Sequence, residues 1–205
     1  FAQGLGHADD GAGEHAGQGQ RQHVVDLGLQ RRGADAQRRL EELMRRAAEL
    51  SDQVAGWVPK ILREGMTEIA LAGEIEAEAR KLGHQGVVRM RLWGSEMFYG
   101  HLMSGPTGAV PSFLSSPTGG AGASPAVAQG PGFKTIQPHE PVLVDYVFAY
   151  NGYLSDHARI FSLGKPDQEL MTAHMAMLDV QDLIKKAAIP GTKSGDLYDL
   201  ALERT

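Results

Sequence analysis

The chain contains no cysteine among its 205 residues, which excludes a disulfide framework, thiolate catalysis and thiolate metal sites. Any metal would have to be held by Asp, Glu and His. Aromatic residues are scarce at 6%, and the 20 Lys and Arg are outnumbered by 25 Asp and Glu, for a formal charge of -5. A chain so charged has no electrostatic means of gripping a phosphate backbone, so no nucleic-acid partner is expected. No run of roughly 18 apolar residues exists, and no basic start followed by an apolar stretch opens the chain. These absences point to a soluble, cytoplasmic protein with no membrane partner. The 42% of hydrophobic residues is globular composition, and the length suits one domain of ordinary size.

Glycine is the residue in excess, with 26 copies concentrated in two places. In the first, Gly, Ala, Gln, His and Arg alternate without a helical or strand period. Residues 1–34 are therefore read as a disordered or foreign segment ahead of a folded domain over 35–205. His7, His15 and His23 fall in it between glycines that deny them a fixed geometry. The second concentration, Ser104 to Gly132, holds five prolines. It is too long for a tight turn and is expected to be a functional or mobile loop.

Regular structure is expected between and after these stretches. Leu40, Leu43, Met44, Ala47, Leu50, Val54 and Trp57 share one face of a helix from about Ala36 to Val58, which Pro59 bends or ends. Gly65 stops that helix and Thr67 caps a second, which runs to Leu82. Strands are expected at Val87–Trp93 and Glu96–Met103. A hairpin of Val142–Tyr150 and Tyr153–Leu163 is joined by Asn151-Gly152, a strong two-residue turn signal. A helix from Asp167 to Ala188 and a short one begun by Ser194 complete the chain. Ala47–Glu78 and Thr172–Glu203 read alike, each a long helix, a junction ending in Thr, and a short helix. The first copy continues into strands and the second meets Thr205, which predicts a truncated fold.

The Asn151-Gly152 turn sets the register of the hairpin. Asp156 falls opposite Val147 and Asp145 opposite Ala158, so both carboxylates share one face as diagonal neighbours, roughly 7 Å apart at Cβ. Their companions there, Val147, Ala149, Leu154 and Ala158, are apolar. Turned inward, that face buries two like charges, which calls for protonation or a neutralising cation. Two oxygen donors on adjacent strands suit a pair of divalent ions about 3.5–4 Å apart. Turned outward, the aspartates are merely solvated and the other face, with Tyr146, Phe148, Tyr150, Tyr153 and His157, packs instead. Acid and base catalysis by the two carboxylates without metal is a third option.

The stretch Val-Leu-Val-Asp145-Tyr-Val-Phe-Ala-Tyr-Asn-Gly152-Tyr153-Leu-Ser-Asp156-His-Ala-Arg159 resembles the hairpin of the pita-bread metallopeptidases: methionine aminopeptidase, aminopeptidase P, prolidase and creatinase. The junctions Gly65-Met-Thr67-Glu68 and Pro190-Gly191-Thr192 are similar to those of the same fold, and the likeness covers about Arg38 to Thr205. It implies an α+β pita-bread fold, incomplete at the C-terminus, from an aminopeptidase of Xaa-Pro type. By that likeness Asp145 is a bidentate ligand of one metal ion and Asp156 bridges two. The ions would be manganese, cobalt, iron or zinc, the substrate a peptide, and the longer protein a homodimer. The family completes its site with one His and two Glu from the second half, beyond Thr205, so this chain is expected to bind metal feebly and to lack peptidase activity. The family's upstream substrate-contacting His has no counterpart, since Ser116 to Gly130 contains no histidine. No substrate-binding residue is assigned. A non-catalytic protein-binding domain and a creatinase-like C–N hydrolase are the alternatives.

The remaining candidates have plainer expectations. His101 is read as a hydrogen-bonded structural histidine, although its strand leads toward the site. His139 is read as an exposed turn residue, His157 as pointing away from Asp156, and Met171, Met175 and Met177 as core filler.

Overall fold

A computed structural model describes residues 12–89, 96–97, 100–111 and 119–204. Helix α1 (Ala12–Ile61) is followed by α2 (Glu68–Lys81), then by strands β1 (Val88–Arg89), β2 (Glu96–Met97) and β3 (Gly100–Ser104). A 3-10 turn at Gly105–Ala109 opens the long loop. The hairpin of β4 (Val142–Tyr150) and β5 (Tyr153–Phe161) follows, then α3 (Gln168–Ala187) and α4 (Ser194–Arg204).

Leu50, Val54, Val58 and Ile61 repeat at helical spacing along α1, and all are buried. They meet Leu71, Ala72, Ile75 and Ala79 of α2 and the even-numbered residues of β4 from Val142 to Phe148 in one core. Thr67 caps α2, its hydroxyl accepting from the Ala70 N–H at 3.3 Å, and Leu82 ends it. Pro59 neither ends α1 nor stops it short: two further residues follow, and the Leu62 N–H still bonds the Val58 carbonyl at 2.9 Å.

Helix α1 begins at Ala12, within the stretch 1–34 read as disordered or foreign to the domain; extending an existing helix adds a hydrogen bond for each residue fixed and avoids the cost of nucleation. Residues 33–42 on it are exposed, so its packing starts near Leu43. Residues 1–11 and the side chains through 32, with His7, His15 and His23, lie outside the described set. Of the strand expected over 96–103, Glu96–Met97 form β2, paired with β1, and residues 100–103 lie in β3, paired with β4; residues 98–99 fall outside the described set. Gly100 permits that second pairing, since a β-carbon there would lie 2.2 Å from the Asp145 carbonyl oxygen. Residues 90–95 of the strand expected at 87–93 fall outside the described set.

Strands β3, β4 and β5 form an antiparallel sheet in that order. Its helix-facing side carries Val142, Val144, Tyr146 and Phe148, all within the core. That choice of face follows from volume: two large rings bury more apolar area than the alanines and valine of the other face.

Candidate metal centre

The hairpin register is the one set by its turn. Asp145 pairs with Ala158, Val147 with Asp156, and Tyr150 with Tyr153 around Asn151-Gly152. Asn151 takes φ 49 and Gly152 φ 82, as a two-residue hairpin with positive φ at both turn positions requires. Both aspartates therefore occupy the face of the sheet opposite Tyr146 and Phe148. Asp145 is half-buried and Asp156 exposed. Burial pushes the Asp145 carboxyl above its usual range, and the Asp156 carboxylate pushes it further, against a smaller opposing effect of His101. A divalent cation would relieve both causes at once.

His101 lies on β3 directly opposite Asp145, so the two side chains share a face. It is 7% exposed, and neither ring nitrogen has a hydrogen-bond partner among the described residues. Burial lowers its pKa, with Asp145 acting the other way. The expectation of a satisfied structural histidine is thus overturned. One nitrogen and two carboxylates now lie across three adjacent strands, a donor set suited to borderline divalent ions. Among the described residues, no group of three or more His, Asp or Glu side chains is placed so that it could hold a metal ion.

His157 points to the other face, where its Nδ1 lies 3.0 Å from the Ser51 hydroxyl and 3.8 Å from Asp52. Arg159 reaches the same Asp52 at 3.7 Å, and the Tyr146 hydroxyl donates to the Ser51 carbonyl. These contacts lock the hairpin onto α1 and leave the aspartate face free of ion pairs among the described residues.

The long loop is anchored by Glu68, which is 1% exposed. One carboxylate oxygen accepts from the Ser104 N–H at 2.7 Å and the Ser104 hydroxyl at 2.8 Å, and also from the Thr107 hydroxyl. The other accepts from the Gly132 N–H at 3.1 Å. Lys134 extends the network to the Ser104 hydroxyl at 3.0 Å and Glu140 at 2.5 Å. Burial by itself would raise the Glu140 pKa, but Lys134 and the Gln137 N–H outweigh it and hold the carboxyl low. Within the loop, the Gly130 N–H bonds the Gly119 carbonyl at 2.8 Å, and a β-carbon at Gly130 would lie 3.3 Å from Nδ1 of His101. The loop therefore closes over the histidine beside Asp145. Residues 112–118 lie outside the described set.

A model of metallopeptidase family M24 matches residues 42–204, well over half of the chain. The chain belongs to metallopeptidase family M24. It is 27% identical over 158 residues to the Xaa-Pro dipeptidase of Lactobacillus delbrueckii subsp. lactis, spanning 77% of this chain and 36% of that relative. Among solved structures, it resembles an X-Pro aminopeptidase from Thermotoga maritima with a TM-score of 0.63 and 24% identity, covering 80% of this chain and 39% of that one. Prolidase from Pyrococcus furiosus gives a TM-score of 0.60 at 23% identity, with 80% and 41% covered. These likenesses to solved structures establish the α+β pita-bread fold. The chain spans little more than a third of the length of its curated relatives.

Membership of family M24 makes a divalent metal the expected occupant. The raised Asp145 carboxyl, its like-charged neighbour and the unpartnered imidazole fit such an ion. Sequence reasoning placed Asp145 and Asp156 on one face because a two-residue turn sets register unambiguously. It did not place His101 opposite Asp145 because the pairing of β3 with β4 spans the long loop. Glu68 was visible only as an acidic residue in a first helical turn.

Proposed function

We propose that this chain carries the two strand-borne carboxylate ligands of a dinuclear metallopeptidase centre of Xaa-Pro type. The observation behind the proposal is the placement of Asp145 and Asp156 on one face of adjacent strands, in a chain of family M24. Asp145 and Asp156 would be the residues of this chain that hold the ions. Manganese, cobalt, iron or zinc are the candidate ions. When bound, they supply Lewis acidity toward a scissile peptide carbonyl and lower the pKa of water. The hairpin's part is to hold the carboxylates at fixed register, with Tyr146 and His157 pinning its reverse side to α1. The Xaa-Pro assignment rests on the relatives, which include an Xaa-Pro dipeptidase. Residues 1–34 are proposed to stand outside the catalytic domain, in keeping with a family match that begins at residue 42.

With two carboxylates supplied, the 205-residue chain should bind ions weakly and hydrolyse no peptide by itself. Equilibrium dialysis against Mn(II), Co(II) and Zn(II) tests this directly. Weaker than micromolar binding, abolished by Asp156→Ala, is the expected result. Binding at micromolar affinity or tighter would contradict the need for further ligands, and binding indifferent to both Asp145→Asn and Asp156→Ala would overturn the site. A chain extended to the relatives' length should cleave Xaa-Pro peptides and lose that activity in Asp156→Ala.

A further inference from the structure

Two buried histidines flank β4, and their circumstances are opposite. Nδ1 of His84 accepts from the Gly86 N–H at 2.8 Å, and its Nε2 donates to the Val147 carbonyl at 3.0 Å. That pattern fixes its tautomer and leaves it no free lone pair. It also packs edge-on against Phe148, with ring centroids 5.3 Å apart. His84 is fully engaged in holding α2 to the sheet.

His101 has the same depth of burial and none of these partners. Buried polar side chains are hydrogen-bonded in the large majority of cases, so an exception beside a charged cluster points to a ligand. Its surroundings narrow the kind of ligand. Asp145 stands directly across the strand pair, and Asp156 lies one strand further on the same face. Gly130, at φ 70, backs the ring on its Nδ1 side. A buried neutral imidazole offers one lone pair beside its N–H, and the groups next to it are carboxylates, rich in lone pairs. A divalent cation is a partner that the imidazole lone pair and the carboxylates can share.

We propose that His101 is a nitrogen ligand of the divalent ion held by Asp145. The proposal rests on the metal-centre assignment above and adds to it a donor from β3, outside the hairpin. Ligation brings the ring to the ion by side-chain rotation while strand register is kept. An imidazole beside carboxylates favours zinc, cobalt and iron over manganese and magnesium, so His101 makes the site selective among the candidate ions.

The test uses the 205-residue chain with ring-labelled histidine, titrated with Co(II) and followed by NMR. Direct ligation gives one imidazole with strongly contact-shifted ring resonances. That signal should be present in wild type and in His84→Gln, and absent in His101→Gln and Asp145→Asn. His101→Gln should weaken Co(II) and Zn(II) binding by at least about tenfold, a loss seen even for residues one step outside a metal's ligands. Mn(II) binding should change less. Cobalt binding that depends on Asp145 but shows no contact-shifted imidazole in wild type overturns the role of His101 and leaves the metal centre standing. Cobalt binding that depends on neither Asp145 nor Asp156 overturns both. The wild-type spectrum decides even if His101→Gln fails to fold.

Discussion

The helix pair α1–α2 and the helix pair α3–α4 are built on the same local pattern and end in different surroundings. Leu50 and Met175 each stand three residues into their copy, yet Leu50 is 2% exposed and Met175 is 53% exposed. Helix α2 buries five residues, whereas neither α3 nor α4 buries any. The junctions differ as well: Thr67 caps its helix through the Ala70 N–H, while the Thr192 hydroxyl turns back to the Ala187 carbonyl at 3.0 Å. An amphipathic helix has an apolar face by sequence, but only a facing sheet turns that face into core. Among the described residues, β3, β4 and β5 cover the first pair alone. Methionines 171, 175 and 177, expected as core filler, are correspondingly half-buried or exposed.

Strand β4 carries the same contrast within nine residues. One face is sealed against α1 and α2, and the other presents Asp145. The exposed partner face of β5 carries Leu154 and Asp156.

The largest expected effect lies in the sealed region. Phe148→Ala should destabilise the chain by roughly 3–5 kcal/mol, the usual cost of truncating a buried ring. Leu178→Ala on α3 should change stability by less than about 0.5 kcal/mol. Urea unfolding of both variants measures the difference, and comparable losses would break the comparison.

Next is Glu68→Ala, which strips the acceptor from Ser104, Thr107 and Gly132. A loss of about 3 kcal/mol is expected, because charged hydrogen bonds are the strong ones and their donors would be left buried. Lys193, next to Thr192 as Glu68 is next to Thr67, should be replaceable by Ala at little cost. Faster proteolysis within the loop of the Glu68 variant would show that this carboxylate ties it down; an unchanged cleavage rate would separate the two.

A smaller effect is expected at Gly130. Ala there must adopt φ 70 and crowd Nδ1 of His101, at a cost of about 1–2 kcal/mol for left-handed backbone. Thermal unfolding of Gly130→Ala measures it, and an unshifted midpoint would show that the loop does not press on His101.

The smallest effect is at Asp145, and its sign is the informative part. Its carboxyl is raised in the folded state, so without metal the folded chain holds the proton longer than the unfolded chain does. Stability then falls as pH climbs from the unfolded value near 3.9 through the raised folded value, and the full penalty stands at neutral pH. Asp145→Asn should therefore stabilise the metal-free chain at neutral pH and give no such gain near pH 3. Melting curves at the two pH values check this. A variant less stable than wild type at neutral pH would mean that the aspartate face has attractive contacts of its own.

How much was legible in advance depended on how far apart in sequence the cooperating residues lie. Asp145 and Asp156 are brought together by a turn whose residues force positive φ, so their shared face follows from local chemistry. The boundaries of α2 and β4 were equally local, set by Thr67 and by the run of β-branched and aromatic residues. His101 was another matter. Its partner strand begins beyond the whole loop, and nothing between Ser104 and Gly132 announces that pairing. Glu68 gathers donors from residues 104, 107 and 132, a constellation that no spacing rule encodes. The upstream limit of α1 escaped for a related reason, since glycine-rich composition argues against a helix that a packed neighbouring turn can still propagate.

The sequence by itself determined the hairpin, its register and the pairing of two aspartates on one face, because strand alternation and a two-residue turn leave no freedom. Tertiary structure decided which face of the sheet the helices cover, because only packing compares the area buried by Tyr146 and Phe148 with that offered by Val147 and Ala149. It also decided that a buried histidine from a third strand stands beside Asp145 with no hydrogen-bond partner among the described residues, because that neighbour is supplied by closing a long loop.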